Sequence, residues 1–544
     1  MSNLKNSISQ IRLPFIVGLT LACGILIGAT LFGNNKKTSQ LLQGYAKFKE
    51  ILGYIDQMYV DTVNTEELTD YAIEKMLEKL DPHSVYIPAK NVQMANMQLE
   101  GDFEGIGIEF NIFRDTIIVV APISGGPSEQ VGLQSGDKII KVDGKNVAGI
   151  KIDNMQVFKL LRGKKGTKVN LEIKRKNSKE LLNYTIIRDK IPQHSVDVSY
   201  MIDKKTGYIK VSRFAANTYR EFKEALEKLK AKGMQQLLID LRDNPGGYLD
   251  RAYNMADELL DGNKMIVYTD GRGTRYDQQY RAHIDGAFEK GAVVILIDEG
   301  SASASEILAG AIQDNDRGLI VGRRSFGKGL VQAPIDLSDG SELRLTISRY
   351  YTPSGRSIQK PYSHDGKKED YNLELYHRFQ KGEFFSADSI KVNEKLKYKT
   401  SKGRIVYGGG GIVPDVFVPL DTTENSKFLN ELYSKNILRE FCLNYANDNK
   451  ATLSKMKFSE FRTNFQITDQ LLNSLVENAK KSGAAYSDAD FQRSKELIRN
   501  HMKAFIARSL YGQEGFFPIW LERDKDFQTA IKLFDKAREI EQMK

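Results

Sequence analysis

Two short runs leave the chain little choice of architecture. Val293-Val-Ile-Leu-Ile297 is aliphatic throughout, and Leu237-Leu-Ile-Asp-Leu241 is nearly so. A strand-length run without polar alternation buries both of its faces, which marks a parallel strand covered on each side. Each run passes through a loop of small residues into a helical pattern, Leu249 to Leu260 and Ala304 to Asp314. Together with the strand Tyr208–Val211 and the helix Tyr219–Lys230 they predict an α/β core from about Gly207. Beyond Gly329, Asp339-Gly340 is a hairpin signal between Val331–Leu337 and Leu343–Tyr350.

The segments on either side have other periods. From about Gly101 the apolar residues alternate (Ile106, Ile108, Phe110), and strands at Thr116–Val120, Lys138–Val142, Val169–Ile173 and Asn183–Ile187 surround a helix at Asn154–Leu161. This order predicts a small barrel of about 90 residues. Residues 40–80 are helical in pattern, with a helix opening at Asn64-Thr65-Glu66-Glu67 and running to Leu80, where Asp81-Pro82 stops it. Residues 361–403 are polar and poorly periodic and read as an insertion; residues 425–544 are helical again. The resulting division is 1–37, 38–98, 99–190, 191–424 and 425–544, an α/β plus β multidomain chain with helical ends.

Residues 13–33 carry no charge, and as a helix would span about 31 Å against a hydrocarbon core of roughly 30 Å. A retained membrane anchor is the expectation; a cleaved signal peptide and a lipoprotein signal ending at Cys23 are the alternatives. With 79 Lys and Arg among 70 Asp and Glu, the net charge of +9 is scattered, and nucleic acid is not an expected partner. Two cysteines exclude a disulfide framework, zinc-ligand spacing is absent, and no metal or cofactor is expected.

Four constellations carry chemistry. Gly300-Ser-Ala-Ser-Ala-Ser-Glu306 follows the apolar strand and opens a helix, so Ser303 would sit where free N–H groups point outward, with Ala304 N–H as an oxyanion donor; helix capping by serine is the plain alternative. Asp240-Leu-Arg-Asp-Asn-Pro-Gly-Gly247 follows the other buried strand. If the two strands are neighbours, both loops open on one sheet edge, and Gly246 or Gly247 supplies a second donor. In Phe326-Gly-Lys-Gly-Leu-Val-Gln332, an extended chain puts Lys328 and Gln332 on one face, so that Gln332 could orient the amine. As a base that amine must be neutral, with its pKa brought from about 10.4 towards 7–8 at a cost on the order of 4 kcal/mol. None of the six histidines lies in such a loop, which leaves a Ser-Lys pair rather than a Ser-His-Asp triad. Last, backbone N–H groups in Glu104-Gly-Ile-Gly-Ile108 form a nest for a terminal carboxylate, beside a strand edge that a peptide can join.

In combination these motifs resemble the C-terminal processing peptidases, or tail-specific proteases, over about Tyr54 to Leu420. Leu80-Asp-Pro-His-Ser84, Arg349-Tyr-Tyr-Thr-Pro-Ser-Gly-Arg356 and Gly411-Ile-Val-Pro-Asp415 complete the set. The resemblance implies a crotonase-like protease core with an inserted PDZ domain that recognises substrate C-termini through Gly105, Ile106, Gly107 and Ile108. It implies Ser303 as nucleophile, Lys328 as base, Gln332 as third catalytic residue, and Arg162 as a regulatory contact between PDZ domain and core. It further implies protein substrates with free C-termini, a homodimer, and a bacterial envelope enzyme anchored in the inner membrane with its catalytic domain outside the cytoplasm. A non-catalytic PDZ scaffold that binds protein tails and an acyl-CoA enzyme of the related core fold are the rivals. The chain departs from the pattern in the 361–403 insertion and in the length of its C-terminal region.

Overall fold

The structure, a computed structural model, describes residues 17–24, 36–123, 125–176, 178–362, 370–371 and 373–543. It divides into two units, residues 1–77 and 78–544. In the first, Lys36–Met58 and Thr65–Leu77 are helices; the second ends short of the expected Leu80, whose neighbourhood is a turn. Residues 17–24 of the apolar segment are helical, and the rest of the 13–33 span lies outside the described residues. Among the described residues no helix is long and apolar enough to cross a membrane.

The second unit is built on a six-stranded sheet in the order Val196–Met201, Thr206–Val211, Gln236–Asp240, Val293–Ile297, Leu319–Gly322, Val416–Phe417. Its first pair is antiparallel and the rest are parallel. Gln236–Asp240 and Val293–Ile297 are direct neighbours, so their following loops emerge side by side at the carboxyl edge. Both strands are buried throughout, as their lack of alternation requires.

One face of the sheet is covered by the helices Thr218–Ala231, Leu249–Asp257 and Ala304–Asp314. The other is covered by the end of the same chain. Phe527, Ala530, Phe534, Ala537 and Ile540 pack on Tyr208, Leu238, Val294, Leu296 and Val321. Burying Phe527, Phe534 and Ile540 is worth roughly 5–9 kcal/mol. The C-terminal segment is therefore part of the core's own enclosure.

A second, antiparallel sheet joins Val85–Ile87, Glu342–Tyr351, Met265–Gly271 and Gln278–Arg281, with Leu330–Asp336 also paired to Glu342–Tyr351. It carries the lysine loop towards the edge where the other two loops emerge. The barrel consists of the strands Ile108–Phe113, Thr116–Pro122, Lys138–Val142, Lys145–Asn146, Lys168–Lys174 and Leu182–Ile187 with the helix Asn154–Leu161. A two-stranded neck, Asp102–Gly105 with Asp189–Pro192, brings its two ends together. The described residues of the 361–403 segment include a helix where the composition predicts none. Arg378, on the helix Glu374–Gln380, donates to Ser325 O at 3.0 Å and Arg324 O at 2.7 Å, directly behind the lysine loop.

Candidate active site

The three serines of the Ser-Ala-Ser-Ala-Ser loop have different surroundings. Ser301 and Ser305 are fully buried. Their hydroxyls donate across to the neighbouring loop, Ser301 to Leu241 O at 2.8 Å and Ser305 to Asn244 O at 2.9 Å. Ser303 is half-buried and lines an open cleft of about 360 Å³ together with Lys328, Gln332, Gly246, Gly247 and Tyr350. Its backbone has φ 55° and ψ −113°, a conformation that costs a non-glycine residue about 1–3 kcal/mol. Local hydrogen bonds hold it there. Ser303 N–H donates to Glu306 Oε2 at 2.8 Å, and Ser303 O accepts from Glu306 N and Ile307 N.

The glycine loop fits tightly against this turn. A side chain on Gly246 would lie 2.6 Å from Ala302 O and 2.7 Å from Ser303 Cβ, and one on Gly247 would lie 2.1 Å from Phe214 O. Both residues have positive φ, 97° and 144°, so only glycine fits. Gly246 N–H donates to Asn244 Oδ1 at 2.9 Å and is therefore engaged. Among the described residues, the N–H groups of Ala304 and Gly247 have no acceptor. The donors left for a developing oxyanion are those two, with Gly246 supplying the room.

Lys328 is largely desolvated, and burial holds its amine below the ordinary lysine value, against the opposing pull of the Glu306 charge. Lys328 Nζ donates to Gln332 Oε1 at 2.9 Å. Among the described residues Gln332 is its hydrogen-bond partner, and the Ser303 hydroxyl is not. A register shift between Val331 and Gln332 interrupts the alternation expected along this strand, and the side chains still meet. The other end of the Gln332 amide donates to His83 O. That carbonyl is fixed in turn by Asp81, whose carboxylate accepts from His83 N and Ser84 N at 2.8 Å each and from Ser84 Oγ at 2.6 Å. The Leu80-Asp-Pro-His-Ser84 motif thus determines which end of the Gln332 amide faces the lysine.

Sequence reasoning missed the group that joins the two loops. Glu306 is fully enclosed and accepts four hydrogen bonds: from Ser303 N–H and Lys328 N–H on one oxygen, and from Gly327 N–H and Ser325 Oγ on the other. Burial pushes its carboxyl up to about 7, against the downward pull of those bonds. Its place three residues after Ser303 is the capping-box spacing, and that was the available signal. The Tyr350 hydroxyl, also missed, lies between Ser303 O at 3.1 Å and Lys328 O.

The model for peptidase family S41 matches residues 205–373, and a PDZ-domain model matches residues 118–175. The activating protease CtpB N-terminal domain matches residues 29–91, and a family of unknown function matches residues 428–512. A carboxy-terminal-processing protease of Bartonella bacilliformis is 35% identical over 349 residues, which cover 63% of this chain and 79% of that one. The chain belongs to the carboxy-terminal processing proteases. CtpB of Bacillus subtilis is 34% identical over 359 residues, 64% of this chain and 71% of that one. Among solved structures, the photosystem II D1 C-terminal processing protease is similar at 28% identity and a TM-score of 0.33, covering 57% of this chain and 89% of that chain. The chain is accordingly a serine-type processing protease with a PDZ domain.

In the PDZ domain, Gly105 ends the neck strand and is bridged to Arg162, and Ile108 begins the first barrel strand. Ile106 O accepts from Ser128 N and Oγ, and Gly107 O accepts from Ile123 N. In a trans peptide the N–H points opposite to the carbonyl, so the N–H groups of Gly107 and Ile108 point away from those partners. The Arg162 guanidinium lies between the rings of Phe103, at 4.5 Å, and Phe158, at 4.4 Å. Phe158 in turn meets Phe110 edge-on at 5.8 Å, across the space between helix and strand edge. The contacts of Arg162 are thus with the barrel and its neck.

Proposed function

We propose that Ser303 is the nucleophile of this protease, Lys328 its general base and Gln332 the residue that holds the base. The observation that carries this reading is the contrast within one loop. Ser301 and Ser305 are enclosed and spent on structure, whereas Ser303 lines the cleft that also holds a desolvated lysine amine. On substrate binding the neutral amine takes the Ser303 hydroxyl proton as Oγ attacks the peptide carbonyl. The N–H groups of Ala304 and Gly247 hold the oxyanion. The lysine returns its proton to the leaving amine, and then deprotonates the water that hydrolyses the acyl-enzyme.

The substrate is a protein with a free C-terminus. Its terminal carboxylate is taken by the Gly105-Ile106-Gly107-Ile108 turn, and its backbone joins the strand edge beginning at Ile108. Opening that groove separates Phe110 from Phe158, and Arg162, stacked on Phe158, carries the change to the neck. The uncharged 13–33 segment tethers the enzyme to a membrane, and the helical terminal regions of the chain mediate a homodimer, which sedimentation velocity tests. The deciding experiment is cleavage of an unfolded protein with an apolar tail. Ser303→Ala abolishes it and Ser301→Ala does not; cleavage retained by the Ser303 variant sinks the reading.

A further inference from the structure

The cleft around Ser303 has an uneven charge. Its lining includes Arg213, Arg344 and Lys328 and, among the described residues, no Asp or Glu. Arg344 is balanced by a carboxylate outside the lining, its Nε donating to Glu342 Oε1 at 2.7 Å, and a terminal nitrogen donates to Asn96 Oδ1 at 2.7 Å. Lys328 is neutral when it works as a base. Arg213 is different. It is half-buried, and among the described residues its guanidinium makes no hydrogen bond or ion pair. The carboxylate whose charge it feels, Asp197, is half-buried and accepts from Ser212 Oγ at 2.8 Å. Arg213 also stands immediately before Phe214, whose N–H donates to Gly246 O at 2.9 Å and whose carbonyl accepts from Tyr248 N at 2.8 Å. This guanidinium without an ion pair is thus one residue away from the backbone that holds the glycine loop.

A partly desolvated, unpaired guanidinium costs stability, and a planar five-donor group is well shaped to take a carboxylate in two hydrogen bonds. No acid of the cleft lining opposes its field on a bound peptide. Resting on the reading of Ser303 as nucleophile, we infer that Arg213 is a specificity-determining residue that selects peptides carrying a carboxylate next to the scissile bond. That carboxylate is either an acidic side chain or the terminal carboxylate of a short tail. Apolar neighbours of the cleft such as Leu99, Leu249 and Ile307 accept the flanking uncharged residues.

The test compares cleavage ratios within each enzyme, so that partial loss of folded protein cancels. A peptide series carries Ala, Glu or Lys at each position flanking the cleaved bond, each with a free or an amidated C-terminus. The wild type, R213Q, R213E and S303A are assayed on all of them. The wild type favours a carboxylate-bearing peptide over its Ala counterpart by about tenfold in kcat/KM. The ratio falls towards one in R213Q, and R213E favours the Lys peptide. A preference that survives amidation assigns the carboxylate to a side chain; one that amidation removes assigns it to the terminus. Equal ratios in wild type, R213Q and R213E, with S303A inactive, overturn the role of Arg213 alone. An active S303A overturns the nucleophile assignment whatever the ratios are.

Discussion

Replacing Glu306 by Gln separates what this buried acid does for stability from what it does for catalysis. The native carboxyl is raised from 4.5 to about 7. Between those pH values the unfolded chain has released the proton and the native chain retains it. The native state binds more protons there, so stability falls as pH rises, at ~1.4 kcal/mol per pH unit and roughly 3 kcal/mol in all. Gln cannot ionise, and E306Q lacks this decline. Against that gain, an amide offers one acceptor oxygen where four donors converge, leaving buried donors unpaired at about 1–3 kcal/mol each. At pH 8 the two effects nearly cancel, and the variant stays folded. Catalysis has no such compensation. Where the amide nitrogen takes the place of Oε2, the N–H groups of Ser303 and Lys328 both lose their acceptor, and a displacement of about 1 Å between the proposed nucleophile and base costs on the order of 100-fold in kcat. The measurement is urea unfolding at pH 5 and pH 8, followed by the single tryptophan, Trp520, which packs beside the core sheet, together with single-turnover cleavage at pH 8. The same pH dependence of stability in both proteins, or unchanged kcat in E306Q, refutes the argument.

Four other outcomes follow from the same geometry. Because burial lowers the Lys328 amine below 10.5 and the base must be unprotonated, kcat/KM rises with pH through that lowered value; a profile flat from about pH 6 to about pH 9 excludes lysine as the base. K328R keeps its proton and loses activity by about a thousandfold or more in the same assay. Gly247→Ala places a methyl 2.1 Å from Phe214 O and displaces an oxyanion donor, lowering kcat by about 100-fold or more with far less effect on KM, as steady-state kinetics would report. Asp314→Ala leaves the fully buried Arg356 guanidinium without its carboxylate at 2.7 Å and destabilises the core by about 3–5 kcal/mol, read from the urea midpoint.

What was legible in the sequence, and what was not, follows from the reach of each interaction. The strand Val293–Ile297 and the helices Asn154–Leu161 and Ala304–Asp314 have the limits their patterns predict, because periodicity and capping act within a few residues. The apolar stripe of a C-terminal helix such as Phe534–Gln542 states that it is buried, but not against what; its partners on the sheet lie some 200 to 340 positions earlier, and no local pattern encodes them. Site chemistry divides in the same way. Ser303, Lys328 and Gln332 are visible as side chains of a recognisable type in a recognisable order. The groups that hold them are a backbone carbonyl at His83, the free N–H groups of Ala304 and Gly247, and a glutamate that reads as an ordinary cap. Every residue has a backbone carbonyl and almost every one an N–H, so composition cannot single these out. Only the tertiary path, with Asp81 turning the chain at His83 and Asn244 occupying Gly246, decides which of them face the cleft. A motif therefore specifies the candidate reacting groups, while their pKa values and positions are set by distant segments; this is why Arg213, which belongs to no motif, acquires meaning only from a cleft lining that holds no acid among the described residues.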